Sequence, residues 1–115
     1  ETSMSTSKIL FNSHIGYVFI KSEEICFCKA DDYRTIVKLI DGNIYNVNLT
    51  LSEVVNKVNN KYFIRCHRSY AININLLHSI KHDLSFVKFE SDDEIPISVR
   101  KCRVIRKKLI ELGFI

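Results

Sequence analysis

Arg34-Thr-Ile-Val-Lys-Leu-Ile40, Asp41-Gly42 and Asn43-Ile-Tyr-Asn-Val-Asn48 read as a strand, a turn and a return strand. β-Branched and aromatic side chains suit a pleated, half-buried surface, and Asp-Gly between two such runs is a strong hairpin signal. Ile44 and Val47 do not alternate strictly, which predicts a bulge or an early strand end. Upstream lie three more short runs: Lys8-Ile-Leu-Phe11, Tyr17-Val-Phe-Ile20 after His14-Ile-Gly16, and Ile25-Cys-Phe-Cys-Lys-Ala30. Downstream, Thr50-Leu-Ser-Glu53 has the capping-box pattern, and Leu51, Val54, Val55 and Val58 follow at helical spacing up to Asn59-Asn60. Tyr62-Phe-Ile-Arg-Cys66 is a further strand leading into His67-Arg-Ser-Tyr70, and the polar-interrupted Ala71–Asn75 reads as a strand end or turn. Leu76–His82 and Ser85–Phe89 form a hairpin around Asp83-Leu84, and Glu94–Ile97 is a last short strand whose Pro96 marks an edge. Ser98 then caps a helix running to about Leu112, with Val99, Cys102, Ile105 and Leu109 on one face and Gly113 as its stop. The predicted fold class is all-β and mostly antiparallel, with one short internal helix and a short C-terminal helix.

A chain of 115 residues and 13.4 kDa, 46% hydrophobic and 26% charged, makes one folded domain. No apolar run approaches the roughly 18 residues needed to cross a bilayer, so no membrane contact is expected. The start, Glu1-Thr-Ser-Met-Ser-Thr-Ser7, has no basic segment followed by an apolar one, so it does not read as a signal peptide. Residues 1–8 read as a linker or remnant of a longer chain, and 9–115 as the domain. Cys26, Cys28, Cys66 and Cys102 are too few and too irregular for a disulfide scaffold, which favours a reducing, cytoplasmic compartment.

Catalytic signals are missing: no phosphate-binding glycine loop, paired metal-ligating histidines or nucleophile elbow occurs. Cys66 and His67 are neighbours on a strand and point to opposite faces, which is poor geometry for a nucleophile and base. Cys26-x-Cys28 places two thiols on one strand face, short of the four ligands of a structural zinc, so both read as core. Asp31-Asp32 and Asp92-Asp93 read as solvated turns. A thiol-based redox role for Cys66 is conceivable beside the basic turn, where cations lower a thiol pKa, but no resolving partner is evident. The reading is therefore a binding domain, not an enzyme, with no metal and no cofactor.

Charge is more informative. Overall the chain carries +4, yet the segment 98–112 holds Arg100, Lys101, Arg103, Arg106, Lys107 and Lys108 against Glu111 alone. The remainder has no cationic excess, so the positive charge is concentrated, as at a phosphate-binding surface. Arg65, His67 and Arg68 form a second cluster flanked by Tyr62, Phe63 and Tyr70. Arginine can donate two parallel hydrogen bonds to guanine or to phosphate, while Ser69 and Asn73 can reach a phosphate or a base edge. Tyr33-Arg34 follows the interruption at Asp31-Asp32 and is presented by a loop. Two rivals stay open. One is a single-stranded nucleic-acid binder that stacks bases on Tyr17, Phe19, Tyr33, Tyr45, Tyr62 or Tyr70. The other is a protein-interaction or sensory β module using the edge near Pro96.

The stretch Tyr62-Phe-Ile-Arg-Cys-His-Arg-Ser-Tyr-Ala-Ile-Asn73 resembles the "F-x-R-x-H-R-S-Y-x-V-N" core of the LytTR-type DNA-binding domains, the output domains of LytR/AlgR/AgrA-like response regulators. Ile25–Tyr33 resembles their "I-x-Y-I-E-A-x-x-x-Y" segment, with Lys29 where Glu is frequent; Leu49–Glu53 resembles "x-T-L-x-E-L"; Ile95–Arg100 resembles "I-P-V-S-R-R", with Val99 replacing one cation. The resemblance spans roughly residues 9–112. It implies a β fold whose loops, not a recognition helix, enter major grooves of double-stranded DNA. It implies base or groove contacts from Tyr33, Arg34, Arg68 and Arg100, and phosphate contacts from Ser69, Asn73, Ser98, Lys101 and Arg103. Arg65 and His67 would support the loop structurally. It further implies a bacterial two-component phosphorelay: a receiver domain upstream, direct-repeat operators, a dimer on DNA, and transcription regulation as the output.

Overall fold

The computed structural model describes residues 8–115. Of residues 1–8, expected to be a linker, 1–7 lie outside the described residues, and Lys8 pairs with Lys21 as the first residue of the first strand. The elements are β1 (Lys8–Ser13), β2 (Gly16–Lys21), β3 (Ile25–Asp31), β4 (Arg34–Leu39), β5 (Ile44–Val47), α1 (Leu51–Val58), β6 (Phe63–His67), β7 (Tyr70–Asn73), β8 (Leu77–Ile80), β9 (Phe86–Phe89), β10 (Glu94–Pro96) and α2 (Val99–Glu111). Among the described residues every strand pairing is antiparallel, as expected.

The strands divide into two sheets, a split the hydrophobic pattern did not announce. One has seven strands in the order β2-β1-β5-β4-β3-β7-β6, and the other has three in the order β10-β9-β8. The seven-stranded sheet is covered on both faces around its central strand β3, whereas the β1–β2 end leaves one face open. Against one face packs α1, and inward side chains of β1 and β2 join the same core, which gathers Phe11, Ile20, Cys28, Val37, Val47, Val54 and Phe63. Against the other lie the small sheet and α2, gathering Phe27, Cys66, Ile72, Val87, Ile95, Ile105 and Leu109 into a second. Central β3 is therefore apolar without interruption from Ile25 to Cys28, as a strand buried on both faces must be.

Local chemistry sets the boundaries. The hairpin at Asp41-Gly42 forms through a three-residue loop. Gly42 N–H bonds to the Leu39 carbonyl at 3.0 Å, Leu39 N–H bonds to the Asn43 carbonyl at 2.9 Å, and Gly42 takes φ +93°. That conformation suits glycine, and the Asp41 carboxylate closes the loop on Asn43 N–H at 2.9 Å. The return strand β5 ends early, at Val47. At α1 both halves of the capping box are made, Thr50 N–H to the Glu53 carboxylate at 2.9 Å and Glu53 N–H to the Thr50 hydroxyl at 3.3 Å. These bonds hold the Glu53 carboxyl below its ordinary range. The helix stops at Asn59 in the left-handed region, φ +45°. The polar-interrupted stretch after Tyr70 is a real strand, β7, followed by one 3-10 turn at Ile74–Leu76. Pro96 sits on the edge strand β10.

Two expectations need correction, and the redox role that was only conceivable for Cys66 gains no support. Cys26 and Cys28 do not share a strand face: a register shift between Ile25 and Phe27 sends Cys26 into the second core and Cys28 into the first. Val99 does not join the buried face of α2, where Ile105 and Leu109 are buried and Cys102 is half-buried; it is 90% exposed. Cys66 is not an activated thiol. Its Sγ lies within 3.5 Å of the Pro96 carbonyl, and burial pushes the thiol up to about 12, outweighing the lowering effect of Lys101.

Two measurements test this packing. Ile72, fully buried in the second core, should cost about 2–5 kcal/mol in urea unfolding when replaced by alanine. Burial pushes the thiols of Cys28 and Cys66 above the ordinary cysteine range. A group with a raised folded pKa contributes fully below its unfolded pKa, and that contribution is lost as pH rises. Stability should hold up to pH near 9 and then fall toward pH 12, by up to ~1.4 kcal/mol per pH unit for each thiol. Replacing both thiols with alanine should flatten that slope.

Candidate nucleic-acid interface

Three loops meet at one end of the strands of the seven-stranded sheet and form one cationic edge of the molecule, where backbone bonds hold them. Asp31 pairs with Arg34, so Asp32 and Tyr33 form the tip of the β3–β4 hairpin. Asp32 adopts φ +55° and Tyr33 projects, 87% exposed. Arg34, first in β4, is also exposed. On the other side of β3, Lys29 pairs with Tyr70, and Ala30 N–H bonds to the Ser69 carbonyl at 2.8 Å. The β6–β7 turn, Arg68-Ser69, is thereby fastened beside the β3–β4 tip. The third loop is joined in the same way: Ser98 N–H bonds to the Cys66 carbonyl at 2.9 Å, so α2 begins next to that turn.

Within the turn, Arg65 is a brace. Its Nε reaches the His67 carbonyl at 3.4 Å, one terminal nitrogen bonds to the Ser52 hydroxyl of α1 at 2.6 Å, and the other bonds to the Arg68 carbonyl. A planar fork spreads its five donors over three nitrogens and so reaches three separated acceptors, whereas the donors of a lysine all radiate from one nitrogen. His67 Nδ1 accepts from Ser69 N–H at 3.1 Å, which leaves the proton of the neutral ring on Nε2. The His67 ring stands edge-on to Tyr70, with centroids 5.7 Å apart. The turn is thus fixed from inside, while the Arg68 side chain is exposed.

Arg65, His67, Arg68, Ser98, Val99, Arg100 and Lys101 line an open groove of about 570 Å³ between the turn and the start of α2. Electrostatics favour an anion there. α2 has no acidic residue in its first turn, and Ser98 makes no side-chain cap, so its hydroxyl and the positive helix end stay available. Arg100 and Arg103 are exposed and Lys101 is half-buried. The only α2 cation in an ion pair is Lys108, with Glu111 at 3.9 Å, among the described residues.

Tyr33, Arg34, Arg68, Ser69, Ser98, Arg100 and Lys101 lie at or next to this edge, and Arg103 follows further along α2. Asn73 does not lie there. It is 2% exposed at the far end of β7, and its Oδ1 accepts from Asn75 N–H at 3.0 Å, capping the 3-10 turn. Its side chain has no path to a phosphate. Lys29, which the sequence does not mark as a contact, is exposed on the same edge with Nζ 6.0 Å from the Tyr70 ring centroid. Ser52 was also unforeseen, because only the packing of α1 brings it to Arg65. The exposed carboxylates of Asp31 and Asp32 temper the positive charge at the hairpin tip.

The arrangement matches known proteins. The family model of the LytTr DNA-binding domain matches residues 16–110. Among solved structures, the domain described as the LytTr DNA-binding domain of a methyl-accepting/DNA response regulator from Bacillus cereus superposes with a TM-score of 0.77 at 24% identity, covering 90% of this chain and 96% of that one. No curated protein matches this chain. With the family model spanning most of the domain, from β2 through α2, the chain belongs to the LytTr DNA-binding domain family.

Proposed function

We propose that this domain reads double-stranded DNA sequence-specifically through its three-loop edge, as the output half of a bacterial two-component response regulator that controls transcription in the cytoplasm. A receiver domain precedes it in the full protein, and its operators are direct repeats occupied by two copies. The observation that carries the reading is the pair of backbone bonds, Ala30 to Ser69 and Ser98 to Cys66, that gathers separately encoded cations on one side of the molecule. Arg34, Arg68 and Arg100, with Tyr33, contact bases in successive major grooves. Ser69, Ser98, Lys101 and Arg103 contact phosphates on either side. Arg65 and His67 do not touch DNA; they hold the Arg68 turn in shape. Recognition is by binding alone, and no residue at the edge is asked to perform chemistry.

The division of labour predicts distinct losses. Arg68→Ala should weaken cognate binding by about 1–3 kcal/mol and relax discrimination at one base pair, with thermal stability unchanged. Lys101→Ala or Arg103→Ala should weaken cognate and scrambled duplexes alike and reduce the salt slope of binding by about one unit. Equal binding of cognate and scrambled duplexes by the unmodified protein would overturn sequence-specific reading. Preference for single strands in competition would favour base stacking on exposed aromatic rings instead.

Arg65→Lys should lower both DNA affinity and the melting temperature, because three hydrogen bonds that shape the turn are lost together. A melting curve unchanged by Arg65→Lys would contradict the bracing role.

A further inference from the structure

The β1–β2 hairpin carries an apolar stripe made of residues other than those of the cationic edge. Tyr17 is 73% exposed, Phe19 69%, Ile15 66% and Leu10 41%, with Leu10 directly opposite Phe19. β2 is the terminal strand of the large sheet and pairs only with β1. Among the described residues, no backbone group outside the β1–β2 ladder bonds to its residues. The devices that blunt sheet edges are missing from its interior: it has no proline, its register with β1 runs unbroken, and its one lysine is the last residue.

Parity fixes what this edge offers. His14 and Ile15 are the loop closed by the pair Ser13 and Gly16. In a two-residue hairpin the closing pair exchanges backbone hydrogen bonds, and bonding then alternates along the ladder. Gly16, Val18 and Ile20 therefore bond toward β1, and Tyr17, Phe19 and Lys21 aim their N–H and C=O groups outward. Their side chains share the exposed face, while Val18 is half-buried and Ile20 is buried on the other.

We propose that this edge takes the same edge of a second copy of the chain, antiparallel, about a two-fold axis at Phe19. In that register Phe19 faces the second copy's Phe19, and Tyr17 faces the second copy's Lys21. All three outward residues of each strand find partners. A shift of two residues in either direction leaves only two paired, and a shift of one puts the bonding groups out of phase. Charge agrees with register: the lysines meet aromatic rings, not each other. The Leu10–Phe19 rows of the two copies then join into one apolar band. One short edge buries less than the roughly 1,200 Å² of a stable interface, so the association is weak in dilute solution and grows where copies are concentrated. Because the axis is two-fold, it sets the DNA-binding edges in opposite senses. The contact thus belongs to the free protein or to inverted half-sites, not to head-to-tail copies on direct repeats.

Sedimentation velocity of the 115-residue chain from micromolar to millimolar concentration should show a monomer moving toward a dimer. Phe19→Lys, which opposes two cations at the axis, should hold it monomeric while duplex DNA affinity and circular dichroism stay unchanged. Phe19→Cys should cross-link under mild oxidation, since paired residues about 5.5 Å apart at Cα fall within disulfide reach. Val18→Cys and the parent chain should not cross-link. A chain monomeric throughout, a dimer indifferent to Phe19→Lys, or equal cross-linking at positions 18 and 19 would overturn the proposal. A monomeric chain whose stripe becomes protected only in the full-length protein would assign the edge to another domain.

Discussion

Everything at the three-loop edge depends on β3 being paired along both sides. On one side it closes the hairpin that presents Tyr33 and Arg34. On the other it pairs with β7, which brings the Arg68 turn level with that hairpin. Neither neighbour would hold its loop in place alone, because a two-stranded ribbon is marginal in water. β3 is itself held by burial on both faces, between a core that includes Cys28 and one that includes Phe27. The apolar run Ile25–Cys28 and the position of the cationic loops are thus one constraint, not two.

Arg65 illustrates how the fold converts a charged side chain into geometry. Its guanidinium serves the carbonyls of His67 and Arg68 and the hydroxyl of Ser52. Through Ser52 the turn also depends on α1, which stays in register by virtue of its Thr50–Glu53 cap. A cation spent on backbone carbonyls is lost to a phosphate, but it leaves Arg68 projecting from a fixed base. Ordering the loop in advance removes entropy that would otherwise be lost on binding. The two sheets are joined in a similar way: Lys38 of β4 pairs with Asp93 in the β9–β10 turn, holding the Asp93 carboxyl below its usual range.

Much of this was legible in the order of residues. The Asp41-Gly42 hairpin, the capping box, the edge position of Pro96 and the concentration of cations in 98–112 each follow from chemistry acting over a few positions, where propensity and hydrogen bonding are local. The failures share a cause. Strict alternation puts Cys26 and Cys28 on one face because it ignores a bulge. Val99 was counted into the buried face of α2 because helical spacing fixes angular position but not where a neighbour ends. Asn73 looked like a polar contact beside a basic turn, yet one strand length separates it from that turn and it caps a 3-10 turn at the other end.

The sequence by itself determined the element types, their antiparallel character, the excess of positive charge near the C-terminus and a motif pattern that matches the family, since all of these rest on short-range periodicity and composition. Tertiary structure alone decided that the strands form two sheets, that loops more than thirty residues apart share one edge, and that Arg65 faces inward while Arg68 faces out. Those outcomes depend on which strands pair and what covers each face. Pairing is a long-range choice made by burying both faces of β3 at once, and no local window of residues contains it.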